Sequence, residues 1–276
     1  MAIGTILVTG ASSGIGRACA LRFAELGYRV LAGVRNAAAG DALKASAAGI
    51  EPVILDVTLA DSIQRTVEMI GDGALTGLIN NAGISAIGPL ELVSLDAWRH
   101  QFEVNVIGLV AVTQALLPSL RRGKGRVVNI GSIAGRSALP GTGAYDSSKF
   151  AVEAITDTLR MEVQTFGMHV SIIEPGAVAT AIWQKALAEI DDLTHGSKPE
   201  LRELYGPLMR NLRKETERSA NKAAPAEAVI NAVEHAMTAR RPKTRYLIGN
   251  DARFFLMLNL LPDKWRDWLI LSELNK

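Results

Sequence analysis

A tyrosine and a lysine stand four residues apart in the sequence Tyr145-Asp-Ser-Ser-Lys149. At that spacing two side chains lie on one face of an α-helix. A free tyrosine, with a pKa of about 10, is a poor base at neutral pH, but a neighbouring ammonium group stabilises its phenolate. The pair could therefore transfer a proton to or from an alcohol or a carbonyl. The same spacing also occurs by chance in many helices, as an ordinary surface pair.

Two further polar residues stand where they could serve such a reaction. Ser132 follows the apolar run Arg126–Ile130, and its hydroxyl could hold a substrate oxygen. Asn105 lies within a helical pattern among apolar residues, where neither a helix cap nor a turn accounts for an asparagine. Taken singly, a turn serine and a core asparagine are sufficient explanations. Their occurrence together favours a catalytic site, and no metal site is predicted.

A glycine-rich turn follows the first apolar run of the chain, in the sequence Thr9-Gly-Ala-Ser-Ser-Gly-Ile-Gly16. Glycines let such a turn tighten and let backbone N–H groups approach a pyrophosphate at a helix N-terminus. The spacing G-x-x-x-G-x-G differs from the G-x-G-x-x-G of the standard dinucleotide fingerprint. Its position at the start of an alternating strand–helix pattern favours a dinucleotide site over a purely structural turn.

The end of the second predicted strand should distinguish between the two nicotinamide dinucleotides. An acidic residue there would bind the ribose 2′-hydroxyl, whereas an arginine accommodates a 2′-phosphate. The sequence Ala32-Gly-Val-Arg35-Asn36 contains no acid, and a guanidinium group suits phosphate geometry. The sequence therefore predicts NADP(H), and the alternative is that Arg35 is a solvated surface residue.

Two more strand ends carry polar residues that could contact a cofactor. Asp56 could bind the adenine amino group or could cap the following helix, with Thr58 as a competing cap. The sequence Asn80-Asn-Ala-Gly83 ends the fourth apolar run, where open parallel sheets keep their ligand crevice. Asparagine and glycine also form ordinary turns, but the position favours the floor of a cofactor site.

These residues need a sheet that presents them at one edge, and apolar strand-like runs do alternate with helical patterns. The predicted strands are Ile3–Val8, Arg29–Val34, Val53–Leu55, Leu78–Asn80, Arg126–Ile130, His169–Ile173 and, more weakly, Tyr246–Ile248. The main predicted helices are Ser13–Leu26, Leu59–Ile70, Asp96–Leu120 and Tyr145–Phe166. The alternation predicts an α/β protein with a doubly wound, mostly parallel, seven-stranded sheet in a single domain, which is a Rossmann fold.

Composition narrows the class of protein. The 276 residues suit one large α/β domain, and 30 Lys+Arg against 28 Asp+Glu give a net charge of +2, which does not indicate a nucleic-acid partner. The single cysteine, Cys19, cannot form an internal disulfide and is predicted to be a packing residue. The first residues do not resemble a secretory signal, and no uninterrupted apolar run reaches the length of a spanning helix. We expect a soluble, cytoplasmic protein.

Two segments fall outside the alternating pattern. Residues 181–222 mix apolar residues with charges of both signs and are predicted to form a peripheral helical lid over the substrate. Residues 252–276 form an apolar C-terminal extension, in which Phe254, Leu258, Leu261, Trp265 and Trp268 recur at helical spacing around Pro262. Packing on its own domain or on a neighbouring subunit is the favoured interpretation. Lining an apolar substrate pocket and lying on a membrane surface are the alternatives.

Taken in order, these motifs resemble those of the short-chain dehydrogenase/reductase family, over about residues 3–250. The matching residues are the glycine turn at 9–16, Asp56-Val57, Asn80-Asn81-Ala82-Gly83, Asn105, Ser132, Tyr145 with Lys149, and Pro175-Gly176. The resemblance implies that Tyr145 transfers the proton and that Ser132 orients the oxygen. It also implies that Lys149 binds the nicotinamide ribose and favours the phenolate, and that Asn105 holds a proton-relaying water.

The resemblance also implies a set of cofactor-binding residues. They are Gly10, Ser12, Ser13, Gly14, Ile15, Gly16, Arg35, Asp56, Val57, Asn81, Ala82, Gly83, Tyr145, Lys149, Pro175, Gly176, Val178 and Thr180. The last four would line the nicotinamide end. An arginine at position 35 is a signal for NADP(H) in this family, in agreement with the phosphate argument.

The function implied is an NADP(H)-dependent oxidoreductase that interconverts an alcohol and a carbonyl. The sequences around Tyr145 and at Ser171-Ile-Ile-Glu-Pro-Gly-Ala resemble the branch that acts on steroids, retinoids and other lipophilic alcohols. A 3-oxoacyl-thioester reductase, another chemistry on the same scaffold such as sugar-nucleotide epimerisation, and a non-catalytic dinucleotide sensor are the alternatives. Two helices resemble those that pair subunits in the family, so we expect a homodimer or homotetramer.

Overall fold

A computed structural model describes residues 2–180 and 182–274, and its centre is a single parallel sheet. The strands are β1 (Thr5–Val8), β2 (Arg29–Val34), β3 (Ile50–Ile54), β4 (Gly77–Asn80), β5 (Arg126–Ile130), β6 (His169–Pro175) and β7 (Arg245–Ile248). Their order is β3-β2-β1-β4-β5-β6-β7, with all neighbouring strands parallel. The order reverses between β1 and β4, and such a switch point opens a ligand crevice at the strands' carboxyl ends. The predicted fold is confirmed.

Eleven helices flank or extend the described sheet. They are α1 (Gly14–Glu25), α2 (Ala37–Lys44), α3 (Ala60–Ile70), α4 (Leu95–Phe102), α5 (Gly108–Arg122), α6 (Gly143–Val163), α7 (Ile182–Gly196), α8 (Pro199–Lys222), α9 (Glu227–Thr238), α10 (Asn250–Leu258) and α11 (Asp263–Leu274). Phe23 of α1 and Val233 of α9 pack on one face of the sheet. Leu116 of α5 and Val163 of α6 pack on the other, so both faces are covered as parallel strands require.

Strand β3 differs from its predicted bounds of Val53–Leu55, because it begins at Ile50 and includes Pro52. A proline cannot donate a hydrogen bond to a sheet and is therefore tolerated on edge strands. β3 is at the edge, paired only with β2 among the described strands. The predicted strand began directly after this proline, whereas the edge position lets the strand include it.

The predicted helix Asp96–Leu120 is divided by one π-helical turn, Glu103–Ile107, between α4 and α5. The continuous helical run Leu95–Arg122 is long and apolar enough to cross a membrane, with a mean hydropathy of 1.5. Half of its most apolar window is buried inside the protein, where Val112 and Leu116 pack on the sheet. A core helix of a soluble protein meets the same criteria of length and composition.

Helices α7 and α8 occupy the predicted lid segment, whose first residue, Ala181, lies outside the described residues. They share a small apolar cluster in which Ile190, Met209 and Leu212 are buried. Ile87 and Leu274 pack against this cluster, so it joins the loop after β4 to the C-terminal helix. That this pair of helices covers a substrate stays a prediction.

The C-terminal extension packs on its own domain only in part, and its last two residues lie outside the described residues. Helix α10 buries Ala252 and Leu258, whereas α11 has no buried residue. Phe254, Trp265 and Trp268 are between 58% and 67% exposed. These three side chains lie on the helix sides turned away from the domain, so the stripe packs on its own domain only in part. Packing of the exposed part on a neighbouring subunit stays a prediction.

Candidate active site

The glycine turn after β1 packs tightly on the residues that follow β4. Gly10 and Gly14 have φ angles of +65° and +55°, which favour glycine. A Cβ atom at Gly10 would lie 2.9 Å from the Cα of Ala82, and one at Gly16 would lie 2.3 Å from the Nδ2 of Asn81. Glycine is therefore required by this packing as well as by the turn.

Thr9 and Asn81 hold the two strand ends together. The Thr9 hydroxyl oxygen accepts hydrogen bonds from the backbone N–H groups of Asn81 and Ala82, both at 3.0 Å. The Asn81 amide donates in return to the carbonyl oxygens of Thr9 and Gly10. Thr9 is not among the predicted site residues, although it directly precedes the first glycine.

The start of α1 is open to a ligand. Ser12, Ser13 and Gly14 are exposed, and no side-chain hydrogen bond caps the helix at Ser13. The first N–H groups of a helix have no partner within the helix and carry a partial positive charge. A glycine turn with no Cβ atoms in front of these donors fits the pyrophosphate of a dinucleotide.

Arg35 and Asp56 follow β2 and β3. Arg35 is exposed, and within residues 2–180 and 182–274 no carboxylate lies at ion-pair distance from it. Burial acts to raise the pKa of Asp56, but hydrogen bonds from Thr58 and the charge of Arg35 outweigh it and lower that pKa. Asp56 accepts from the N–H and hydroxyl of Thr58, and α3 begins after Leu59. The interpretations of Asp56 and Thr58 as caps of this helix are thus wrong.

The third predicted strand end also supplies Val57, whose place in the cofactor-binding set stays a prediction. Val57 is buried, and a Cβ atom at Gly108 of α5 would lie 2.7 Å from its side chain. Its side chain therefore packs against a helix of the core.

The catalytic candidates Tyr145, Lys149 and Ser132 meet where α6 begins and β5 ends. The Ser132 hydroxyl faces the Tyr145 phenol and acts to lower its pKa. The Lys149 ammonium donates to the carbonyl oxygen of Ile130 at 2.8 Å and lies 5.7 Å from the centroid of the Tyr145 ring. The Ser132 hydroxyl also accepts from the N–H of Ala134, which fixes its position at the start of a short 3₁₀ turn.

Burial dominates the protonation of this pair. It raises the pKa of Tyr145 to about 12, with a smaller upward effect of Asp146 and a downward effect of the hydrogen bond from Ser132. Burial also lowers the pKa of Lys149 to about 8, although the carboxylate of Glu153 opposes it. At pH 7 the phenol is therefore protonated and most of the lysine is charged. The tyrosine is in the form that donates a proton.

Asn105 lies in the π-helical turn and is buried. Its amide nitrogen donates to the carbonyl oxygen of Ile84 and to the hydroxyl of Ser148, both at 3.0 Å. Its amide oxygen accepts from the N–H of Ile84 at 2.9 Å. These bonds explain a buried asparagine among apolar residues, and the predicted proton-relaying water stays a prediction.

Asp146 is a site residue that was not predicted from the sequence, although it directly follows Tyr145. It is 3% exposed, and it accepts hydrogen bonds from the N–H of Leu139 and the hydroxyl of Thr142. Burial raises its pKa to about 7, against the effect of these two hydrogen bonds. The carboxyl group therefore fastens the turn that leads into α6.

The predicted nicotinamide end lies after β6 and reaches back to the glycine turn. The N–H of Gly176 donates to the carbonyl oxygen of Ile248, and Asp251 of α10 accepts from the N–H of Ala177 at 2.7 Å. A Cβ atom at Gly14 would lie 3.5 Å from the side chain of Thr180. The two ends of the predicted cofactor-binding set, which also includes Pro175 and Val178, thus face each other.

Comparison with known proteins identifies this arrangement. A family model described as short chain dehydrogenase matches residues 4–191. The chain belongs to the short-chain dehydrogenase family. Rat 17-beta-hydroxysteroid dehydrogenase type 6 is 39% identical, over 98% of this chain and 89% of its own. Mouse retinol dehydrogenase 16 is also 39% identical, over 93% of this chain and 84% of its own.

Solved structures of short-chain dehydrogenases share the fold over most of the chain. One from Streptomyces avermitilis is 30% identical, with a TM-score of 0.77 and coverage of 98% of this chain and 96% of its own. One from Burkholderia phymatum contains NAD and is 26% identical, with a TM-score of 0.77 over 92% of each chain. One from Burkholderia cenocepacia contains NADP and is 24% identical, with a TM-score of 0.76 over 98% of this chain and 99% of its own. At that identity the likeness supports the fold alone. The predicted family and its oxidoreductase class are confirmed.

Proposed function

We propose that this short-chain dehydrogenase uses NADP(H) to interconvert an alcohol and a ketone or aldehyde. One observation carries the proposal. Tyr145, Ser132 and Lys149 lie together at the carboxyl ends of the parallel strands, and the glycine turn lies at the same end of the sheet. A bound nicotinamide dinucleotide would supply or accept the hydride, which is chemistry that protein side chains lack.

Tyr145 and Ser132 handle the substrate oxygen in this proposal. The phenol of Tyr145 is protonated at neutral pH, as the ordinary tyrosine pKa of about 10 already requires, and donates its proton to the oxygen of a carbonyl. Ser132, whose hydroxyl faces the same phenol, holds that oxygen beside the proton. The ammonium of Lys149 stabilises the phenolate that remains, because opposite charges at short distance favour the ionised form.

Arg35 supports NADP(H) as the cofactor. It is exposed after β2 at the place where NAD-specific sites carry an acid, and no carboxylate of the described chain lies at ion-pair distance from it. The structures that share the fold contain either NAD or NADP, so they do not decide between the two. Ser12, Ser13 and Gly14 would hold the pyrophosphate, and Lys149 the nicotinamide ribose.

We propose a lipophilic substrate, such as a steroid or a retinoid. Two relatives that match nearly the whole chain are named for hydroxysteroid and retinol substrates. Helices α7 and α8 hold together through the buried cluster of Ile190, Met209 and Leu212, which also contacts Ile87 in the loop after β4. Apolar walls with few fixed polar groups are typical of sites for such ligands. A cytoplasmic homo-oligomer remains our prediction for the whole protein.

A spectrophotometric screen tests this proposal. Purified protein is mixed with NADPH or NADH and with steroids, retinoids, small aldehydes and ketones, or 3-oxoacyl thioesters, and loss of reduced cofactor is followed. The reverse reaction is followed with NADP⁺ and the corresponding alcohols. We expect turnover with NADPH and a lipophilic carbonyl. Turnover only with 3-oxoacyl thioesters would contradict the substrate class, and binding of NADPH without turnover of any compound would favour a non-catalytic sensor.

A further inference from the structure

Gln101, at the C-terminal end of α4, is fully buried and uses its whole side-chain amide. The amide oxygen accepts a hydrogen bond from the N–H of Ala86 at 2.6 Å. The amide nitrogen donates to the carbonyl oxygen of Ile84 at 2.9 Å and to the hydroxyl of Ser148 at 3.3 Å. A buried amide with three partners from two other parts of the chain is fixed in one orientation.

The first two partners belong to a segment that has no regular secondary structure. Ile84–Ala86 directly follows the predicted cofactor floor at Asn81–Gly83, and no described strand or helix includes it. Its backbone groups bond instead to two side chains four residues apart, Gln101 and Asn105. Without the Gln101 amide, the N–H of Ala86 would lose the partner that the structure gives it.

The third partner connects this segment to the catalytic helix. The Ser148 hydroxyl accepts from the amides of both Gln101 and Asn105 and donates to the backbone carbonyl oxygen of Tyr145 at 2.7 Å. Ser148 is fully buried and directly precedes Lys149. A rigid chain of hydrogen bonds thus runs from Ala86 through one glutamine and one serine to the turn of α6 that carries Tyr145.

We propose that Gln101 is a positioning residue for proton transfer. It fixes the segment Ile84–Ala86, which lies beside the cofactor floor, against the first turn of α6. This fixes the distance between the wall of the substrate site and the Tyr145 hydroxyl. Small displacements of reacting groups have large effects on rate, so the loss of this bridge lowers kcat without removing a group that contacts the substrate. The inference rests on the proposed function, because it assigns Tyr145 the proton transfer.

The main test compares Gln101→Leu with Thr156→Val. Thr156 lies on α6, is equally buried, and accepts from Asn129, whose amide oxygen accepts from Asn80. This network contacts neither Gln101 nor Ser148, so the variant controls for loss of a buried hydrogen bond near the same helix. For Gln101→Leu we expect kcat to fall about tenfold to a hundredfold, while the KM for NADPH changes less than about twofold. Equal losses of kcat in the two variants, or an unchanged kcat in Gln101→Leu, would overturn the proposal.

A second variant, Gln101→Glu, gives a readout that a purely structural role would not move. A protonated glutamic acid can accept from Ala86 and donate to Ile84, whereas the ionised form has no proton to donate. We therefore expect its kcat, divided by that of the wild type, to fall as pH rises. The same ratio for Gln101→Leu should be independent of pH, and a flat ratio in both variants would count against the proposal.

Hydrogen exchange separates a failure of this inference from a failure of the proposed function. Peptides that cover Ile84–Ala86 should exchange at least about tenfold faster in Gln101→Leu than in the wild type or in Thr156→Val, because the Ala86 N–H has lost its acceptor. Unchanged exchange would overturn the bridge itself. A wild-type protein without turnover on any carbonyl, but with faster exchange in Gln101→Leu, would refute the proposed function and support the bridge.

Discussion

Helix α6 carries two polar regions that differ in how their charges are paired. Lys149 lies in the first turns of the helix, donates to a backbone carbonyl, and has no carboxylate at ion-pair distance among the described residues. Further along the same helix, Glu153 and Asp157 bind Arg245 of β7, with N–O distances of 3.0 and 2.7 Å. Arg245 also lies 3.1 Å from Glu174, which is 1% exposed.

The difference shows how a reactive region can be distinguished from a structural one on a single helix. The Arg245 guanidinium is surrounded by three carboxylates, so its charge is neutralised and cannot act on a substrate. The charge of Lys149 is not neutralised in this way, and it can act on the Tyr145 phenol beside it. Burial and the neighbouring Glu174 raise the pKa of Glu153, yet structural ion-pair networks also produce such shifts. A perturbed pKa alone does not locate the reactive end.

Replacing Tyr145 with Phe is the strongest test of this contrast. The variant keeps the ring and loses the transferable proton, so we expect kcat to fall about a hundredfold to ten-thousandfold. Binding of NADPH, measured by fluorescence titration, and the melting temperature should stay close to those of the wild type. Substantial remaining turnover would assign the proton transfer to another group, such as a water near Asn105.

Replacing Arg245 with Met should lower the stability of the protein and leave kcat unchanged, which is the reverse of the result expected for Tyr145. Removing the guanidinium leaves the buried Glu153 without a cation at ion-pair distance in the described structure, although Asp157 keeps Arg160 and Glu174 keeps Arg136. Breaking a buried ion pair of this kind costs about 3 kcal/mol. In a domain of this size that lowers the melting temperature by roughly 6 °C or more. The kcat of the folded fraction should hold, because Arg245 contacts none of the catalytic candidates in the described structure. A drop in kcat at unchanged stability would break the proposed division of α6.

The sequence predicted the sheet, the glycine turn and the catalytic candidates because each depends on local pattern. Tyr145 and Lys149 share a helix face, and Gly10 and Gly14 occupy backbone conformations that glycine favours. The bounds of β3 were missed because the position of a strand at a sheet edge depends on the other strands.

The missed residues share one physical property. They act through hydrogen-bond partners that lie between 3 and 47 residues away in the sequence, as Gln101, Ser148 and Asp146 show. The residue type alone, a polar side chain in a helix, does not indicate these partners. The spacing of Gln101 and Asn105, four residues apart on one helix face, was the available signal. The exposure of Trp265 and Trp268 could not be predicted, because their spacing does not show which side of a helix faces the protein.

Arg35, like Lys149, has no carboxylate of the described chain at ion-pair distance. We therefore expect its charge to be available to a ligand, unlike that of Arg245. We expect Arg35→Ala to raise the KM for NADPH about tenfold to a hundredfold, since contacts of a guanidinium with phosphate are worth about 1.5–3 kcal/mol. The KM for NADH should be nearly unchanged, and so should the melting temperature. A wild-type enzyme that uses NADH as well as NADPH would refute the assigned role.

The smallest expected effect concerns Asp146, the buried acid at the catalytic end of α6. Its pKa is about 7 in the folded protein, above the usual 3.8, because burial penalises the charged form. The folded state therefore binds more protons than the unfolded state between these values. The contribution to stability is fully present below about pH 4 and is lost as the pH rises through about 7.

Replacing Asp146 with Asn removes this titration while its amide oxygen can still accept from Leu139 and Thr142. The melting temperature of the variant, minus that of the wild type, should therefore rise between pH 5 and pH 8. The rise should be about 3 °C for each kcal/mol of unfolding free energy that the wild type loses over this range. Asp72→Asn, on an exposed turn, is the matched control and should show no such trend. If the difference in melting temperature does not change with pH, Asp146 is charged in the folded protein throughout this range. The start of α6 would then hold two charged groups without an ion-pair partner, Asp146 and Lys149.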